Sequence, residues 1–297
     1  MRGIFSALLG AFDSKGRVDE QGIHALVRHN IGHCRVDGLY VNGSTGENFL
    51  LTTEAKKQIF SLVHAAARGE VSMIAQIGSN VLEECIELAE YTARLGYDAV
   101  SAVTPFYYKL SAAEIKGYYQ KIASASPLPL IAYYIPSLTG VELEFTHIEE
   151  ILRLPNVIGL KFTSSNFFLL EQLRSALPDK LIFSGYDEML LSALALDVDG
   201  AIGSTYNVIG HWAKHLMQSF HMGDYTKARK IQHHINVVVS RILKAGLYQT
   251  LKEITVLYNV PAGTCKAPMG PIAEIHREAA KDITAYMQTV ENDLGCC

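Results

Sequence analysis

The heptapeptide Val157-Ile158-Gly159-Leu160-Lys161-Phe162-Thr163 decides how the rest of the chain is read. A short apolar run without alternation describes a parallel strand buried on both faces, so the lysine at its carboxyl end stands at the mouth of a water-poor site. Burial disfavours the ammonium form and lowers the pKa, and the free amine can then attack a carbonyl to form a Schiff base. A lysine at a strand end is more often a snorkelling or salt-bridged residue, so the surrounding pattern has to decide between the two.

Working outward, the same kind of run recurs at Gly3 to Leu9, Gly38 to Val41, Met73 to Ile77, Ala99 to Val103, Leu128 to Ile135, Leu181 to Ser184 and Gly200 to Ile202. Helical patterns separate them. Ile23, Leu26, Val27 and Ile31 form one apolar stripe, and Ile59, Leu62, Val63 and Ala66 mark a second within Leu51 to Ala67. Further helices are expected at Val81 to Leu95, from Ser111 with Glu114 as a capping box, at Ile148 to Leu154 with Thr146 and Glu149 as a second box, at Phe167 to Leu177 and at Glu188 to Leu196. Eight strand-helix units predict an α/β fold, a (β/α)8 TIM barrel whose active residues lie at the carboxyl ends of the strands. A doubly wound sheet is the competitor, but Gly10-Ala11-Phe12-Asp13 is not the glycine-rich turn it needs after its first strand.

Residues 1–205 are read as the barrel strands and their helices. Residues 206–297 are read as the last barrel helix and a C-terminal helical extension of the same domain, with helices near His211 to Phe220, Tyr225 to Ala245, Leu247 to Leu257 and Ile272 to Val290. Pro261, Gly263, Pro268, Gly270 and Pro271 interrupt the last two, and no low-complexity linker separates an independent domain.

The 297 residues carry a net charge of -4, which offers no basic field for nucleic acid or an anionic membrane, and small metabolites are the expected partners. No run of about 18 apolar residues argues for a membrane span, and Ile4 to Phe12 reads better as a strand than as a leader core. Five cysteines, an odd number without metal-type spacing, fit reduced thiols and a cytoplasmic location, with Cys296 and Cys297 in a frayed tail. The eleven histidines show no H-E-x-x-H spacing, so no metal and no other cofactor is expected.

In a barrel the polar residues at strand ends converge. Gly43-Ser44-Thr45-Gly46-Glu47 offers two hydroxyls and exposed N–H groups suited to a carboxylate or phosphate, although such a turn often only caps a helix. Tyr107 and Tyr108 follow the fourth strand, and Tyr133 and Tyr134 end the fifth. A tyrosine facing a Schiff-base lysine can pass protons, although most tyrosines simply pack. Gly185-Tyr186-Asp187-Glu188 and Gly203-Ser204-Thr205 close the seventh and eighth strands, where an acidic pair could bind a polyhydroxylated substrate.

Taken together, Gly43 to Glu47, Tyr133 to Pro136, Lys161 with Thr163, and Gly185 to Glu188 resemble the N-acetylneuraminate lyase subfamily of class I, pyruvate-dependent aldolases, related to dihydrodipicolinate synthase. The resemblance runs from Arg2 through at least Tyr248. It implies that Lys161 forms a Schiff base with C2 of pyruvate, that Tyr133 shuttles protons, and that Ser44 and Thr45 hold the pyruvate carboxylate. Ser44 would link Tyr133 to a tyrosine lent by a neighbouring subunit, matching Tyr107, and a homotetramer built from tight dimers follows. Gly185, Asp187, Glu188 and Ser204 match positions that hold a sugar's hydroxyl tail, Thr163 one near the C4 hydroxyl, and Tyr248 an aromatic that approaches the pocket. The implied reaction is reversible cleavage of a sialic acid to pyruvate and N-acetylmannosamine.

Two departures stand out. Gly10-Ala11 replaces a common Thr-Pro, from which a looser pocket floor is expected, and Tyr134 replaces an asparagine beneath the site. Leu138 stands where dihydrodipicolinate synthases resemble one another in having an arginine, and a leucine cannot make that charge-assisted bond. A related pyruvate-dependent aldolase acting on another aldehyde, a keto-deoxy sugar acid aldolase or a dihydrodipicolinate synthase-like enzyme, and a silent barrel that binds a keto acid are the alternatives.

Overall fold

The eight expected strands form in a computed structural model that describes residues 1–294; Cys296 and Cys297 lie outside the described residues. They are β1 (Gly3–Ala7), β2 (Gly38–Val41), β3 (Ser72–Gln76), β4 (Ala99–Val103), β5 (Leu130–Tyr134), β6 (Val157–Phe162), β7 (Leu181–Ser184) and β8 (Gly200–Gly203). All pair in parallel and in sequence order, and β8 returns to β1, which closes the barrel. Closure leaves no sheet edge, and alternate residues then point inward or towards the helices. Phe5, Tyr40, Ile74, Ile131, Tyr133, Phe183 and Ile202 fill the interior, with Phe5 and Phe183 in edge-to-face contact at 5.3 Å.

Around the barrel run α1 (Glu20–Gly32), α2 (Thr53–Ala67), α3 (Leu82–Leu95), α4 (Ala112–Ala125), α5 (Pro136–Thr139), α6 (Phe145–Leu152), α7 (Phe167–Ala176), α8 (Leu190–Leu194) and α9 (Tyr206–His221). The box at Ser111 and Glu114 forms as read, with both of its hydrogen bonds present. The second box does not. Phe145, Ile148 and Leu152 set the apolar face of α6 one turn earlier, Glu144 takes the N-cap, and Thr146 falls inside the first turn. The helix expected from Glu188 is instead a tight turn over Asp187–Met189 followed by α8, and α5 was not anticipated. Helix α9 begins at Tyr206 rather than near His211 and is kinked at Ile209, and in its first turn the Asn207 amide donates to Ala7 O while its Oδ1 accepts from Leu9 N, stitching β1 to the end of β8.

Helices α10 (Tyr225–Ala245), α11 (Leu247–Leu257) and α12 (Glu274–Leu294) make up the C-terminal extension. Ile231, Ile235, Ile242, Leu251, Ile254 and Met287 join the same apolar core as the barrel helices, so the extension is continuous with the barrel. No helix among the described residues is long and apolar enough to cross a membrane.

Candidate active site

Lys161 points inward from β6 and is 4% exposed at the carboxyl end of the barrel. Its neighbour in the β5 register is Tyr133, and Nζ stands 4.1 Å from the centre of that ring and 4.3 Å from the ring of Tyr40 on β2. Burial pushes the Lys161 pKa down to about 7, and the through-space charge of Asp187 opposes the shift. A substantial fraction of the residue is therefore a free amine near neutral pH. The aromatic faces stabilise the remaining ammonium weakly and do not replace a carboxylate partner.

Burial moves the Tyr133 pKa up to about 12, while the hydroxyls of Ser44 and Thr163 pull in the opposite direction. Thr163 lines the same cavity as Ser44 and Tyr133, and its Oγ1 is buried without a well-aligned hydrogen bond inside the protein. Ser44 and Thr45 occupy a single helical turn, Ser44–Gly46, directly after β2. Thr45 Oγ1 lies 2.7 Å from Ser204 Oγ, which joins the turn to the end of β8.

Asp187 is 7% exposed and is already engaged: its Oδ2 accepts from Thr205 N at 2.8 Å and from Thr205 Oγ1 at 2.6 Å. Burial raises its pKa to about 6, against the lowering effect of Thr205. One carboxylate oxygen is left for a ligand. Glycine is required on both sides of this arrangement, since a Cβ at Gly203 would meet Asp187 Oδ1 at 1.8 Å and one at Gly185 would meet Thr163 Oγ1 at 1.8 Å.

These residues share a cavity of about 290 Å³ lined by Ser44, Thr45, Tyr133, Lys161, Thr163, Gly185, Asp187, Glu188 and Ser204. A second, more apolar hollow of about 340 Å³ adjoins it across Ser44, Ile135, Leu138 and Tyr248. Leu138 is 63% exposed on the wall between them and presents no charge to a second substrate. Tyr107 is not brought to the cavity by its own chain: it is 85% exposed on the β4–α4 loop, with φ at 78° and its ring against Tyr108.

The sequence reading missed Tyr40 and Thr205. Both stood in stretches already singled out, and strand alternation alone would have aimed Tyr40 inward beside Tyr133. The looser floor expected from Gly10-Ala11 is not found, because a Cβ at Gly10 would lie 2.6 Å from the Phe12 ring and that fully buried ring fills the space. Tyr134 faces away from the cavity and packs on Phe162 outside the barrel.

Comparison with known proteins agrees with this fold and places the chain in a family. The profile of the dihydrodipicolinate synthetase family fits residues 1–286. The N-acetylneuraminate lyase of Clostridium perfringens (strain SM101 / Type A) is 50% identical over 283 residues, 95% of this chain and 98% of that protein. CdNal from Clostridium difficile, solved in complex with mannosamine, superposes with a TM-score of 0.94 at 46% identity, covering 97% of this chain and 99% of that one. The N-acetylneuraminate lyase from Fusobacterium nucleatum, solved with pyruvate, gives a TM-score of 0.91 at 46% identity, with 96% of each chain covered. This chain, a closed eight-stranded barrel with a desolvated lysine at its rim, belongs to the dihydrodipicolinate synthetase family.

Proposed function

We propose that the protein is a class I aldolase, an N-acetylneuraminate lyase, which reversibly cleaves N-acetylneuraminate to pyruvate and N-acetylmannosamine. The observation that carries the reading is the buried Lys161 amine, with a pKa of about 7, facing Tyr133 across the register of two adjacent strands. A binding site for a keto acid needs no nucleophile there. The relatives named above are lyases of this substrate, and two of their structures hold mannosamine or pyruvate.

In the cleavage direction, the Lys161 amine attacks C2 of the open-chain keto sugar and water leaves, giving an iminium. Loss of the C4 hydroxyl proton lets the C3–C4 bond break. The electron pair moves into the iminium, forming an enamine instead of a bare carbanion, and the aldehyde N-acetylmannosamine departs. Protonation at C3 and hydrolysis then release pyruvate and restore the amine. Tyr133 enters the cycle as a protonated donor because burial holds its pKa high. Once a permanent positive charge sits on Nζ about 4 Å from its ring, its ionised form is favoured and it can accept the C4 proton.

Ser44 and Thr45 are assigned to the pyruvate carboxylate, and Thr163 to the C4 hydroxyl. Gly185, Asp187, Glu188 and Ser204 are assigned to the polyhydroxylated tail, where the free oxygen of Asp187 is the strongest acceptor. Tyr107, exposed and held in a left-handed backbone conformation, is assigned to the site of a neighbouring subunit in a homotetramer. Residues 1–205 and the helical remainder act as one domain. Three free, buried cysteines, Cys34, Cys85 and Cys265, support a cytoplasmic location.

An aldehyde panel tests the substrate. Incubated with pyruvate, the protein should condense N-acetylmannosamine and leave aspartate semialdehyde untouched. Condensation of the anionic aldehyde in preference to the sugar would sink this reading.

A further inference from the structure

Glu47 closes the turn that carries Ser44 and Thr45, yet the proposed reaction gives it no task. Its backbone is left-handed at φ 62°, a conformation a non-glycine residue holds only where its surroundings fix it. Both carboxylate oxygens are claimed by the C-terminal extension. Lys252 Nζ lies 2.7 Å from Oε1, with both side chains fully buried, and Lys266 N donates to Oε2 at 2.6 Å. Lys252 Nζ also donates to Thr264 O at 2.6 Å and stands 4.8 Å from the centre of the Phe12 ring. Phe12 reaches that seat because Gly10 has no Cβ. One turn before Lys252 on α11, Tyr248 lines the cavity itself.

A fully buried ion pair contributes little net stability, because the desolvation of two charges offsets their attraction. What it supplies is fixed geometry. The turn must aim its hydroxyl and N–H donors at a carboxylate bonded to the carbon that Lys161 attacks, and small misplacement of such donors is costly. We propose that Lys252 is a positioning residue for the carboxylate-binding turn, acting through Glu47 to hold Ser44 and Thr45 in register with Lys161. The inference rests on the Schiff-base reading above. It gives the C-terminal extension a part in substrate selection.

The double variant Glu47→Gln/Lys252→Met removes both charges together, so neither is stranded in the core. The readout is the ligand concentration that gives half-maximal borohydride-trapped adduct at Lys161, measured for pyruvate and for methyl pyruvate, whose ester lacks the carboxylate charge. The value for pyruvate is expected to rise about fivefold or more and that for methyl pyruvate less than about twofold, because charge-assisted bonds depend most on alignment. An unchanged pyruvate value, or equal rises for both ligands as general loosening would give, overturns the proposal. Lys252→Met alone, where it folds, should shift pyruvate further than the double variant by leaving the Glu47 carboxylate unpaired beneath the turn; a smaller shift also overturns it. A parent protein that forms no pyruvate adduct overturns the Schiff-base reading and this inference together, whereas a parent adduct with an unshifted variant overturns this inference alone.

Discussion

Tyr133 and Lys161 stand opposite one another in the register of β5 and β6, with the lysine nitrogen 4.1 Å from the centre of the tyrosine ring. The pairing places an amine and a phenol on the inward face of adjacent strands, where neither is solvated. The same desolvation lowers one pKa to about 7 and raises the other to about 12. In the proposed reaction this leaves the lysine free to attack while the tyrosine stays protonated, which is the order of events that imine formation requires.

The activity should follow the state of Lys161. With a pKa of about 7, kcat/KM is expected to fall about tenfold per unit of pH on the acid side of that value. Asp187 favours the ammonium through space, so Asp187→Asn should move the acid limb to lower pH while weakening binding of the sugar. A pH profile of both proteins checks this, and a limb displaced to higher pH would count against the electrostatic assignment.

Holding a lysine in this position costs stability. Its folded-state pKa lies below the ordinary value of 10.5, so between about pH 7 and 10.5 the unfolded chain binds the extra proton. The deficit is present in full below pH 7 and disappears as the pH rises towards 10.5. It is on the order of 4 kcal/mol at neutral pH. Lys161→Met is therefore expected to lose activity and to raise Tm at pH 7 by at least about 2 °C, with a smaller gain at pH 10. Thermal melts at the two pH values provide the comparison, and a destabilised variant would contradict the account.

Tyr107 offers a test of the shared site. Tyr107→Phe and Lys161→Ala should each be nearly inactive alone. Unfolding and refolding the two together lets a subunit with an intact Lys161 receive Tyr107 from its neighbour, and about a quarter of the parent activity is expected from random pairing in a two-fold dimer. A refolded mixture that stays inactive would contradict the shared site, and a Tyr107→Phe variant that keeps its activity would place Tyr107 outside the reaction.

The barrel was legible because each strand is an apolar run without alternation, bounded by polar turns, and the order of β-α units admits few topologies. Lys161, Tyr133, Ser44, Thr45, Thr163, Gly185, Asp187, Glu188 and Ser204 could be named for the same reason: each sits at or just beyond a strand's carboxyl end, and those ends meet in one cavity. Interactions that depend on distant side chains were hidden. Nothing in the local sequence shows that Thr205 consumes one oxygen of Asp187, or that Lys252 reaches Glu47 from the opposite end of the chain. The start of α6 slipped because Phe145 extends its apolar face a turn before Ile148, and that of α9 because a kink at Ile209 joins an early turn to the main helix.

The central claim is the covalent bond between Lys161 and the keto carbon. Incubating the protein with N-acetylneuraminate, reducing with borohydride and locating the adduct by peptide mass tests it most directly. The account predicts a pyruvate-sized secondary amine on Lys161, the same adduct that pyruvate alone gives, and none in Lys161→Ala. An unmodified Lys161 after turnover of the sugar, or an adduct on a different lysine, would contradict it.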